Sequence, residues 1–155
     1  MKYFSVLTFI VVFLSGQNLF AIETIALSGI DPLAFGSIAP GAGSQNVNDD
    51  LCVNRGGTSR NYEVTAVGDG TAGAFVLTNG SNEIALTINW NKNLGTNGNK
   101  TLSPNLAHSS TVPNNNKDCA SGPNANIEAI LSAQEIDQAI AGTYSGNIFI
   151  TVATV

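Results

Sequence analysis

The chain has 155 residues, 11 acidic against 6 basic, a formal net charge of −5 and only 11% charged positions. So few Lys and Arg argue against nucleic acid and anionic membrane surfaces as partners, because both are recognised through dense positive charge. The length suits one domain.

Residues 1–21 read as a secretory signal. Lys2 supplies the positive start, and residues 4–14 form an apolar run too short to span a bilayer. Leu19-Phe20-Ala21 is the expected cleavage site. No second apolar run follows, so no membrane insertion is expected after the signal is removed. The expected domain is 22–155, a single β-sandwich.

Beyond the signal, short alternating runs are separated by turn residues. Strands are expected at 23–27, at 33–38 (interrupted by Gly36 and ended by Pro40-Gly41-Ala42-Gly43) and at 50–53. A strand at 61–67 puts Tyr62, Val64 and Ala66 on one face. Another at 75–78 lies between the turns Gly68-Asp69-Gly70 and Asn79-Gly80. Residues 83–90 alternate most clearly: Ile84, Leu86, Ile88 and Trp90 face the core, and Glu83, Ala85, Thr87 and Asn89 face away.

Residues 91–124 are rich in Asn, Gly, Ser and Pro and read as a long loop or a pair of weak strands. A strand is expected again at 126–131. Ser132-Ala133-Gln134-Glu135 matches a capping box, which predicts one helical turn over 133–138 with Ile136 and Ile140 towards the core. A Gly-bearing turn, 141–146, then leads into a strongly β-forming run from Ile148 to Val155. An edge of that last strand left without a partner would template a strand from another chain.

Cys52 and Cys119 are the two cysteines. An even count downstream of a signal predicts one disulfide. Two free thiols are the alternative. No metal site is expected, because His108 is the one histidine and neither Cys has paired ligand spacing.

Catalysis and cofactors are not expected. His108 sits among Ser109, Ser110 and Thr111, but adjacency in sequence gives no convergent triad. Asn48-Asp49-Asp50 and Asp69-Gly70 offer oxygens for calcium without ligand-loop spacing, and turn chemistry accounts for both. Trp90 is weighed as a sugar-stacking platform against a core or rim role. Asn79-Gly80-Ser81 and Asn99-Lys100-Thr101 match glycosylation acceptors and are read as turns.

Three segments together resemble a known family: Leu33-Ala34-Phe35-Gly36-Ser37-Ile38-Ala39-Pro40-Gly41, the Cys-bearing stretch from Cys52 through Val67, and Ala141-Gly142-Thr143-Tyr144-Ser145-Gly146. The chain resembles the spore-coat-protein-U-like and related pilin-like domains of bacterial chaperone–usher systems. The resemblance implies an all-β, immunoglobulin-like sandwich of pilin type that lacks its final strand. It implies a periplasmic chaperone, an outer-membrane usher and other pilin-like subunits as partners. It further implies a periplasmic transit and a place at the cell surface or in an extracellular fibre. On this resemblance Gly142 and Tyr144 would open the last strand, Ile148, Ile150 and Val152 would border the acceptor groove, and the Val155 carboxylate would be anchored by the chaperone. Ile25 and Leu27 would be the donor segment.

The expected function is therefore a structural subunit of a surface fibre, assembled by donor-strand exchange. The alternative is a secreted carbohydrate-binding β-sandwich using Trp90 and the Asn-rich loop. An open edge on the last strand separates the two.

Overall fold

The computed structural model describes residues 22–155; the expected signal segment lies outside the described residues. The strands are β1 (Ile25–Ser28), β2 (Gln45–Arg55), β3 (Asn61–Gly68), β4 (Val76–Asn79), β5 (Asn82–Ala85), β6 (Thr87–Asn91), β7 (Lys100–Thr101), β8 (His108–Thr111), β9 (Ala125–Leu131) and β10 (Ile148–Thr154). One helix, α1 (Ala133–Gln138), and a 3-10 turn (Thr71–Gly73) complete the set. β1-β2-β9-β6-β7 form one antiparallel sheet and β10-β3-β8 a second, with β4-β5 a separate hairpin. This is an all-β, immunoglobulin-like sandwich.

The two sheets are held together by what their inner faces bury. Leu51, Val53, Ile88, Trp90, Ala125, Ile127 and Ala129 come from the first sheet, and Tyr62, Val64 and Ala66 from the second. All are 3% exposed or less. A smaller cluster, Ile84, Leu131 and Ile136, lies under α1. The helix begins as its sequence predicts: Ser132 Oγ accepts from the Glu135 N–H at 3.2 Å, satisfying one of the donors a helix start leaves free.

The structure corrects several expected elements. The run at 33–38 is not a strand. Gly36, Gly41 and Gly43 carry positive φ, which breaks the extended path. Leu33, Phe35 and Ile38 still lie half-buried against the two clusters. The expected strand at 83–90 is two strands in different sheets. The change of partner falls at Leu86, whose N–H still bonds the Phe75 carbonyl at 2.8 Å in the β4–β5 register, while Thr87 begins the pairing with β9. Asn89, expected outward and exposed, is buried, because its amide is shared between Glu128 and Thr101. Ile140 is 60% exposed rather than in the core, since α1 stops at Gln138. Of the two expectations for 91–124, a long loop or a pair of weak strands, the second holds: the stretch contains β7 and β8.

The disulfide forms. Cys52 on β2 bonds Cys119, with their Cα atoms 6.0 Å apart, in the usual range for such bridges. It staples the 112–124 connection to the end of the first sheet.

Candidate strand-docking seam

β10 pairs with β3 along its whole length, from Ile148 opposite Gly68 to Thr154 opposite Tyr62. Asp69 fixes where it starts. Its carboxylate oxygen accepts from both the backbone N–H (2.7 Å) and the amide (2.9 Å) of Asn147. Just upstream, Thr78 and Ser145 exchange two backbone hydrogen bonds. Gly146 allows that approach, because a Cβ there would meet the Val76 carbonyl oxygen.

Among the described residues no strand pairs with the other edge of β10. About half of an edge strand's N–H and C=O groups point away from its one partner. The side chains alternate as well. Ile148, Ile150 and Val152 are half-buried against the main core, while Phe149, Thr151 and Ala153 are exposed.

The facing wall is equally unfinished. Ile25 and Leu27 of β1, with Leu33, Phe35 and Val47, also pack only partly buried on the main core. β1 is the outer strand of its own sheet, paired with β2 from Ile25 opposite Arg55 to Ser28 opposite Cys52. The core is closed in its middle and open along one seam, between the outer strands of the two sheets.

β1 is held down at its start. The Arg55 guanidinium is fully buried and meets Glu23 Oε2 at 2.6 Å. It also donates to the carbonyls of Thr24, Gly56 and Asn61. The other Glu23 oxygen accepts from the Thr58 N–H and hydroxyl and from the Ser59 N–H. The Thr58 backbone bond, with Ser59, the Thr58 hydroxyl and Arg55 behind it, holds the Glu23 carboxyl below its usual range against a desolvation effect. β1 and β10 approach within 8 Å, Cα to Cα. A strand inserted between two others needs them roughly 9.5 Å apart. The seam is pinched where β1 crosses it.

The remaining predicted site residues fall elsewhere. β10 begins at Ile148, so Gly142 and Tyr144 precede it. Gly142 lies against the Asn79 side chain. Tyr144 packs on the smaller cluster and donates its hydroxyl hydrogen to the Ile140 carbonyl at 3.0 Å. Val155 is 60% exposed, one residue past β10. Ile25 and Leu27 are paired within their own chain.

Trp90 is 1% exposed, so its ring has no face to offer a sugar. Asp69 and Asp50 both accept N–H groups: Asp69 from Asn147, and Asp50 from Gly95 and Asn126. Among the described residues no three His, Cys, Asp or Glu side chains lie together as a metal site. No described helix is long and apolar enough to cross a membrane.

No family model and no curated protein matches the sequence. Among solved structures, a chain from work on a chaperone–tip adhesin complex in CFA/I fimbriae biogenesis is similar, with a TM-score of 0.58 at 20% identity. The match covers 84% of this chain and 41% of that one, so this chain spans about two-fifths of its length. At that identity the likeness is one of fold, and the fold it supports is pilin-like.

Proposed function

We propose that this chain is a structural subunit of a bacterial surface fibre, assembled by the chaperone–usher route through strand docking. The observation that carries the reading is the unpaired edge of β10, with Ile148, Ile150 and Val152 half-buried beside it. The fold likeness to a chain from a chaperone–adhesin complex supports it. The occupant is an extended apolar strand, supplied first by a periplasmic chaperone and then by another subunit. The protein is exported and passes through the periplasm and an outer-membrane usher to the surface.

The work is binding, not turnover. Main-chain hydrogen bonds to β10 give affinity, and apolar side chains set the register. Completing the burial of each half-buried Ile or Val contributes on the order of 1 kcal/mol. Because of the pinch at β1, a strand docking along all of β10 has to displace β1 from it. Head-to-tail contacts of this kind propagate into fibres, since they do not close on themselves.

The test is co-expression of the full chain with candidate periplasmic chaperones, followed by co-purification. A partner that stabilises it through β10 is the expected result. A stable monomer, indifferent to every chaperone and donor peptide, overturns the reading.

A further inference from the structure

A second site lies at one end of the sandwich, between the two sheets. It is an open cleft of about 470 Å³, within the ~300–1,000 Å³ of small-molecule sites and larger than a single inorganic anion needs.

Its two walls differ in chemistry. One wall comes from the first sheet and carries cations. Lys100 lies on β7 opposite Trp90, and Lys92 follows the end of β6. The other comes from the second sheet and carries neutral hydrogen-bonding groups. Asn61 belongs to β3; Ser109, Ser110 and Thr111 belong to β8, with the imidazole of His108 beside them. No Asp or Glu side chain lines the cleft, and its one lining residue from beyond β10 is Val155, so the two lysines outnumber a single terminal carboxylate, in a chain with 11 acids against 6 bases.

The two lysines are uncommitted. Arg55 is tied to Glu23, Arg60 donates to the Val112 carbonyl, and Lys117 donates to the Gly57 carbonyl. Among the described residues Lys92 and Lys100 form no ion pair, and both side chains are exposed. Their backbone is nevertheless fixed. Asn91 donates to the carbonyls of Gly95 and Asn97 and folds the loop that bears Lys92. Asn99 and Thr101, on either side of Lys100, bond Glu128 and Asn89. The floor is the buried Tyr62–Trp90 pair. Charged groups on a rigid support suit specific binding better than the same groups on a mobile loop.

We infer that this cleft binds an acidic saccharide, a sugar unit bearing a carboxylate or a sulfate ester. The anionic group would take charge-assisted hydrogen bonds from Lys92 and Lys100. The sugar hydroxyls would bond Ser110, the β8 hydroxyl that shares the face of Tyr62. A bare anion would leave the neutral wall unused. A neutral sugar would leave the lysines unused.

The cleft meets the seam only at its end, where Val155 follows β10; Lys92, Lys100 and β8 are not on the seam, so their substitution tests the cleft without touching β1 or β10. The full chain, in whatever complex it is recovered, is passed over immobilised 3′-sialyllactose, 3′-sulfolactose and lactose. Binding to either charged sugar and none to lactose is expected, and the pair tells carboxylate from sulfate. The double variant Lys92→Gln/Lys100→Gln should bind at least tenfold more weakly with an unchanged melting temperature. Ser110→Ala should also weaken the sugar, through the neutral wall. Equal binding to lactose, an unaffected double variant, or displacement by equimolar inorganic sulfate would each overturn the assignment.

Discussion

Trp90 Nε1 donates to the Tyr62 hydroxyl at 3.0 Å, with the ring planes at 76°. Trp90 belongs to one sheet and Tyr62 to the other, so this bond bridges the gap between the two sheets. The Tyr62 hydroxyl also bonds Ser110, and burial pushes its pKa up despite both bonds. Tyr62→Phe keeps the ring and leaves the indole N–H buried without a partner. A loss of about 1–3 kcal/mol in chemical denaturation is expected. A loss below about 0.5 kcal/mol would mean that the bond does not help to hold the sheets together.

Glu128 is buried on the outer side of the first sheet, with no salt-bridge partner among the described residues. Desolvation pushes its pKa up, but amide donors from Asn89, Asn46 and Asn99 outweigh that and hold it below the ordinary value. A depressed carboxylate stabilises the fold above its unfolded pKa, about 4.3. That contribution disappears as pH falls through the folded value. Glu128→Gln turns one acceptor into a donor that faces another donor. At pH 7 it should cost on the order of 2–3 kcal/mol. The difference from the parent should shrink steadily below about pH 4; a pH-independent difference would rule out the carboxylate as its origin.

This polar ladder also explains why β2 was only partly legible in the sequence. Its outer face reads Asn46, Asn48, Asp50, which looks like a loop, and only 50–53 stands out as a strand. The strand runs from Gln45 because Asn126 donates to Asn48 and Asp50 while Asn46 donates to Glu128. Those partners are 76 to 82 residues away, beyond the reach of local pattern reading. β8 was legible only as one of two alternatives for a similar reason: His108-Ser109-Ser110-Thr111 has no apolar face of its own and is recruited by β3. Two local signals held. Tyr62, Val64 and Ala66 face the core, and Ser132 caps α1. Periodicity pointed to β10, but only the sheet order revealed its unpaired edge.

The seam predicts two opposite phenotypes. Ile150→Asp places a charge in the surface that, on the proposed function, an apolar strand covers, and an unpaired buried charge is costly. Chaperone co-purification and surface assembly should both be lost, while the isolated fold, in which Ile150 is only half-buried, should survive. Glu23→Gln should do the reverse, by loosening the clasp that pins β1 against the pinch. A donor peptide added in trans should then dock faster than on the parent, as read by stopped-flow fluorescence. Slower or unchanged docking would mean that β1 does not obstruct the seam.

The Cys52–Cys119 bridge joins positions 67 residues apart. Replacing both by Ala should cost about 2–5 kcal/mol. Peptide mapping without reduction should recover the two cysteines as one linked species from exported material, and free thiols there would contradict it.

The order β1-β2-β9-β6-β7 has a kinetic corollary. Gln45 must find Leu131 before the first sheet has a centre, and a ladder between segments so distant in sequence assembles slowly. Until it does, β3 and β10 are apolar strands with nothing to cover them. The newly made chain is then most prone to aggregate. A helper that grips β10 during that interval would protect the polypeptide before it ever served as a building block.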